Sequence, residues 1–155
     1  MLVIDDELAL VRAYARALSA EGFRVLTASD GATAELMFRQ TEVDVVVSDI
    51  AMPGVDGIDL LQLFHRIDPK VPVILATGER GDERRQSAVN AGALMFLVKP
   101  VDLRALGQIV THATLLHAQA VAGRGDHASA DAPAPPSTAF EMDLARRFEA
   151  ALRQL

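Results

Sequence analysis

The sequence contains no cysteine, so neither a disulfide framework nor a thiolate metal site can form, as fits a reducing compartment. Basic charge is in short supply as well. Fifteen Lys and Arg against 21 Asp and Glu give a formal net charge of −6, the wrong sign for sequence-independent nucleic-acid binding by the whole chain. No apolar run approaches the roughly eighteen residues that span a bilayer. Met1–Ile4 leads straight into acids rather than into a signal peptide. A soluble, cytoplasmic protein is expected. There is no internal repeat. What remains is ordinary for a globular protein: half the residues are apolar and 23% charged, in a chain of 155, enough for one domain with a core and a tail.

The densest apolar stretch is residues 43–49, Val-Asp-Val-Val-Val-Ser-Asp. A short β-branched run of this kind reads as a strand buried on both faces, in the middle of a parallel sheet. It ends in Asp49 and then turns to loop chemistry, Met52-Pro53-Gly54 and Asp56-Gly57. Residues 1–4 read as a first strand ending in Asp5-Asp6-Glu7. A helix follows with Leu8, Val11, Ala15 and Leu18 on its inner stripe, stopped by Gly22. Residues 23–28 form a second strand, and Ser29-Asp30-Gly31 turns into a helix over about 32–41 with Ala34, Met37 and Phe38 inward. After the valine strand a helix from Ile58 carries Leu61, Phe64 and Ile67, and Asp68-Pro69 breaks it. A fourth strand, 71–77, ends in Thr77-Gly78; a helix over about 84–91 closes at Gly92. A fifth strand, 95–98, ends in Lys99-Pro100, and the last helix, with Leu103, Leu106, Ile109, Val110 and Ala113, runs to about 122. Strands alternating with helices predict an α/β doubly wound fold, a five-stranded parallel sheet of order 2-1-3-4-5.

The composition changes after residue 122. Residues 123–139 are rich in Pro, Ala and Gly and too poor in large apolar groups to pack a core, so they read as a linker. Residues 140–155 regain a helical stripe through Leu144, Phe148 and Leu152 and form an amphipathic helix whose apolar face needs a partner.

In open α/β sheets the functional crevice lies outside the carboxyl ends of the strands. Those ends deliver Asp5 and Asp6, Asp49, Thr77 and Lys99. Taken singly, each has a plainer reading: Asp6 as a helix cap, Thr77 as a strand-end residue, Lys99 as a surface lysine and Pro100 as a helix start. Taken together, three converging carboxylates repel one another unless a hard divalent cation or an ammonium sits among them. All-oxygen donors with room for water suit Mg²⁺. A carboxylate can also act as a nucleophile and form an acyl phosphate, whose charge a cation and a lysine would stabilise.

Asp5-Asp6-Glu7, Asp49 with Met52-Pro53-Gly54 and Asp56-Gly57, Thr77, Gly92-Ala93, Phe96 and Lys99-Pro100 make residues 1 to about 115 resemble the receiver domain of two-component response regulators. The resemblance implies that Asp49 accepts a phosphoryl group from a histidine kinase or phosphotransfer protein. It implies that Asp6, Asp49 and the Ala51 backbone carbonyl ligate Mg²⁺ (or Mn²⁺), with Asp5 direct or through water. Lys99 would pair with Asp49 or its phosphate, Thr77 would swing in to the phosphoryl group, and Phe96 would take the aromatic switch position. Ala51 and Glu79 fall at the positions that influence phosphate lifetime. Gly78 stands where alanine or another small residue is usual in this family. The output surface would be formed by the fourth helix, fifth strand and fifth helix, with a homodimer through that face or through the long last helix. Such a domain is a signalling switch rather than an enzyme in its own right.

Residues 140–155, with Leu144-Ala145-Arg146-Arg147-Phe148-Glu149-Ala150-Ala151-Leu152, resemble the opening helix of EAL-type cyclic di-GMP phosphodiesterase domains. That would make the chain the regulatory part of a longer protein in cyclic di-GMP signalling. A haloacid-dehalogenase-type phosphatase would need an Asp where Ala51 stands. A flavodoxin-like protein would need a neutral phosphate loop where Asp5-Asp6-Glu7 stands. A helix-turn-helix does not fit in sixteen residues, so no direct nucleic-acid contact is expected. The rival reading is a receiver-like dimerisation or docking module that works without phosphorylation.

Overall fold

The computed structural model describes residues 1–78 and 81–122. The linker and amphipathic-helix expectations, and Glu79, lie outside the described residues. The elements in chain order are β1 (Leu2–Ile4), α1 (Leu8–Ala20), β2 (Leu26–Ala28), α2 (Gly31–Gln40), β3 (Val46–Asp49), β4 (Ala51–Met52), β5 (Val55–Asp56), α3 (Gly57–Ile67), β6 (Val73–Thr77), α4 (Asp82–Asn90), β7 (Met95–Val98) and α5 (Leu103–Ala122).

The main sheet is parallel, in the order β2-β1-β3-β6-β7. This is the expected doubly wound order, with the valine strand at its centre. Every residue of β3 and β6 is buried, as a strand covered by helices on both faces requires. The short hairpin β4–β5, pairing Ala51 with Asp56 and Met52 with Val55, falls where the sequence indicated only a loop.

Helix ends explain where the boundaries differ from expectation. After α1, Gly22 adopts φ +92°, Gly22 N–H donates to Ser19 O at 3.0 Å and Phe23 N–H to Leu18 O at 3.1 Å. This is a Schellman cap, and it commits the Phe23 amide to the helix, so β2 starts at Leu26 rather than at 23. The same device ends α4: Gly92 has φ +92°, and Gly92 and Ala93 amides donate to Val89 and Ala88 carbonyls, each at 3.0 Å.

Burial follows most of the predicted stripes, but Ala15 and Met37 are only half-buried and helix-end residues are exposed. In α1 the buried residues are Val11, Tyr14 and Leu18; Leu8, the first helical residue, is 56% exposed. In α3 Leu60, Leu61 and Phe64 are buried, whereas Ile67, the last residue, is 37% exposed. Pro100 does not open a helix, since α5 begins at Leu103. Between α2 and α3, Phe64 stacks on Phe38 with ring centroids 4.4 Å apart, a pair worth about 0.5–1.5 kcal/mol beyond its burial. No helix among the described residues is long and apolar enough to cross a membrane.

Phe64→Ala should lower the unfolding free energy in urea by about 3–5 kcal/mol, the cost of a large cavity in a closed core. Ile67→Ala, at the exposed helix end, should cost less than about 0.5 kcal/mol.

Candidate functional site

Three strand ends converge because parallel strands all point their carboxyl ends to one edge. Asp5 follows β1, Asp49 ends β3 and Lys99 follows β7. Asp5 is 1% and Asp49 7% exposed, while Asp6 is exposed. One carboxylate oxygen from each of Asp5, Asp6 and Asp49 lies within 4.8 Å of the others. Lys99 Nζ donates to Asp5 Oδ2 at 2.6 Å and lies 3.2 Å from Asp49 Oδ2. The expected Lys99–Asp49 pair is therefore present, but the shorter, charge-assisted contact is to Asp5.

Backbone amides hold the other oxygens. Asp5 Oδ1 accepts the Glu7 N–H at 2.9 Å. The Ile50 N–H is shared between Asp49 Oδ1 at 2.9 Å and the Ala76 carbonyl at 3.0 Å. Asp6 is not the cap of α1: the N-cap is Glu7, which makes no side-chain cap bond. The Asp6 carboxylate is left to the cluster.

Burial is the largest influence on Asp49 and raises its pKa above 3.8; the Lys99 charge and hydrogen bond oppose this, and Asp5 adds to it. For Lys99 burial acts downward, but the Asp5 hydrogen bond and the Asp49 and Asp5 charges outweigh it, so its pKa lies above 10.5. Lys99 is thus a fixed cation at neutral pH. Three carboxylates against one ammonium leave two negative charges uncompensated. An all-oxygen donor set with that deficit fits a hard divalent cation.

The remaining predicted residues sit around this cluster. Thr77 ends β6 and is wholly buried; its carbonyl accepts the Lys99 N–H at 2.7 Å. Phe96 lies opposite Leu75 on β7 and is half-buried against the core. Ala51 opens β4 with its side chain exposed, and an added Cβ at Gly78 would meet nothing within 4 Å, so space does not demand glycine there.

At two residues close to the site the structure shows a role that the sequence reading missed. Tyr14, 3% exposed on α1, has its pKa raised by burial and lies in the fields of Lys99, Asp5 and Asp49. Its place on the α1 stripe, three residues after Val11 and four before Leu18, was the available signal. The sequence marks Gly57 as turn chemistry and as part of the resemblance, but not as a packing constraint. A Cβ there would stand 2.1 Å from the Asp49 carbonyl oxygen and 2.9 Å from Ile50 Cα, and the Gly57 N–H donates to Ile50 O at 2.8 Å. Glycine lets α3 start directly against the backbone at the end of β3.

Gly57→Ala should therefore destabilise the fold by about 1–3 kcal/mol, read from the urea midpoint, because the obstructing atoms are backbone. The raised Asp49 pKa makes a second prediction. The folded state binds this proton more tightly than the unfolded chain, so ionising Asp49 costs stability above its folded pKa, and the cost vanishes below 3.8. In metal-free buffer Asp49→Asn should be more stable than wild type at neutral pH, and the difference should shrink as pH falls towards 3.8.

Comparison with known proteins places the fold in a family. The family model of the response regulator receiver domain matches residues 1–111. The chain is 34% identical over 113 residues to the transcriptional regulatory protein GlrR of Escherichia coli, a match covering 73% of this chain and 26% of GlrR. It thus spans about a quarter of that relative's length. Among solved structures it is similar to a response regulator receiver domain protein from Clostridium thermocellum, with TM-score 0.73, 31% identity, and 77% and 96% of the two chains covered. It is also similar to the beryllofluoride-activated NtrC4 receiver domain dimer, with TM-score 0.71, 28% identity, and 75% and 96% covered. Through residues 1–111 the chain belongs to the response regulator receiver domain family, the signalling switches of two-component systems.

Proposed function

We propose that Asp49 is the phosphoacceptor of this receiver domain. The observation that carries the reading is the buried Asp49 carboxylate, clustered with Asp5 and Asp6 and reached by the Lys99 ammonium at 3.2 Å. Asp5, Asp6, Asp49 and the Ala51 carbonyl would hold Mg²⁺, which when bound supplies neutralisation of charge on the phosphoryl oxygens. An Asp49 oxygen attacks the phosphorus of a phosphohistidine or of a small acyl phosphate. The bond from phosphorus to the donor nitrogen or oxygen breaks, and its electron pair leaves with the donor. Lys99 favours the anionic form of Asp49 against the pull of burial and would offer its ammonium to the transferring group. The Thr77 hydroxyl would swing in to hydrogen-bond a phosphoryl oxygen, and Phe96 would turn inward as Thr77 moves. Ala51, with a single methyl, leaves a hydrolytic water unobstructed, and with Glu79 would set how long the phosphate survives.

The partners proposed are a histidine kinase or phosphotransfer protein and, on the output side, a second receiver. Val89 on α4, Val98 on β7 and Leu103 on α5 are 54%, 41% and 38% exposed. They place apolar surface on the elements expected to switch or dimerise, while Leu115 and Val121, 57% and 50% exposed, do so along α5. The NtrC4 receiver is a dimer in its activated form. The output itself is proposed from the sequence of 140–155 alone, as an EAL-type cyclic di-GMP phosphodiesterase domain. GlrR is by name a transcriptional regulator, so the expectation of no nucleic-acid contact is confined to the residues given.

Incubation with acetyl phosphate and Mg²⁺ should give one phosphoryl adduct by intact mass, absent in Asp49→Ala and without Mg²⁺. Lys99→Ala should slow its formation at least about tenfold, through loss of a charge-stabilising contact. No adduct on the wild type under any of these conditions would overturn the reading in favour of a docking module that works without phosphorylation.

A further inference from the structure

The Asp56 carboxylate is shared between two helices. Its Oδ1 accepts the Ile58 N–H at 2.9 Å and caps α3; its Oδ2 takes Arg84 Nη1 of α4 at 2.9 Å. Across the hairpin, Asp56 is paired with Ala51, whose carbonyl would be a metal ligand in the function proposed above. Asp6, Ala51, Asp56 and Arg84 all border one shallow cavity of about 500 Å³. One residue thus touches the acidic site through its backbone partner and α4 through its side chain.

Among the described residues, few apolar side chains fix the fourth helix. Its sequence is polar nearly all round, and among its described side chains Ala88 alone is buried. A helix of this kind is not held by an apolar face. An ion pair whose members are more than a third exposed is weak by itself. On an element whose described side chains include one fully buried residue, Ala88, it adds a tie to the hairpin.

We propose that Asp56 and Arg84 are positioning residues that couple occupancy of the acidic site to the placement of α4. The inference rests on the reading of that site given above. Holding the Ala51 carbonyl fixes the Ala51–Asp56 pairing, and the fixed pairing presents Oδ2 to Arg84. Coupling of this kind is reciprocal: whatever factor metal binding adds to the attachment of α4, loss of that attachment must subtract from metal affinity.

Two substitutions isolate the pair. Asp56→Asn removes the charge but keeps an oxygen suited to capping α3. Arg84→Gln leaves the hairpin untouched. Mg²⁺ affinity of the full chain is measured by calorimetry, and amide exchange over 82–90 is followed with and without Mg²⁺. In the wild type, Mg²⁺ should slow exchange in α4 by about two- to fivefold, the scale of a weak pair. Both variants should lose that response, Arg84→Gln should bind Mg²⁺ more weakly by a similar factor, and the double variant should be no worse than the worse single one.

The sign for Arg84→Gln is decisive, because removing a nearby positive charge by simple electrostatics would tighten cation binding. Equal or tighter Mg²⁺ binding by Arg84→Gln, or α4 exchange indifferent to Mg²⁺, overturns the coupling. If the wild type binds no Mg²⁺ at all, the reading of the acidic site fails and the coupling falls with it.

Discussion

The Lys99 ammonium, 2.6 Å from Asp5 and 3.2 Å from Asp49, is the contact on which the rest depends. Two nearly buried carboxylates side by side repel each other and resist desolvation, and without a cation one of them would neutralise. The sheet order makes lysine the apt residue for this task. In β1-β3-β6-β7 the acids leave adjacent strands, whereas Lys99 leaves the far side of β6. Neighbouring strands are about 4.8 Å apart, so the cation must reach across an intervening strand end, and that strand ends in Thr77. A long, flexible, strongly charged side chain meets this requirement.

The same geometry explains how a group pushed towards neutrality by burial can act as a nucleophile. Burial lifts the Asp49 pKa, and Lys99 pulls it back part of the way. The folded state thus carries an uncompensated acidic site whose two excess charges disfavour it until a cation arrives. The glycine at 57, with no room for a Cβ against the Asp49 carbonyl, packs the start of α3 onto this site. Through Asp56 the adjoining hairpin reaches α4, so a local change of charge has a physical route to a weakly attached helix.

Much of this was legible in the sequence, for identifiable reasons. The segment 95–98 and the helix to 122 match β7 and α5 because Gly92, Lys99-Pro100 and the stripe from Leu106 to Ala113 mark them unambiguously. The convergence of Asp5, Asp6, Asp49 and Lys99 followed from strand order alone. What stayed hidden depends on tertiary contacts or on competition for backbone groups. Residue 23 looked like strand, but its amide is spent on the α1 cap. Leu8 and Ile67 continued their stripes yet lie at helix ends beyond the core. The preference of Lys99 for Asp5 and the shared carboxylate of Asp56 are matters of side-chain geometry that no spacing encodes.

Chemical trapping of the phosphorylated site tests the central claim most directly. An aspartyl phosphate is an acyl phosphate, and borohydride reduces it to the alcohol with loss of phosphate. Peptide mapping by mass spectrometry after acetyl phosphate, Mg²⁺ and borohydride should find homoserine in place of the Asp49 side chain and nowhere else. Homoserine at Asp5, Asp6 or another acid, with Asp49 intact, would contradict the assignment of the acceptor and the role given to Lys99 beside it.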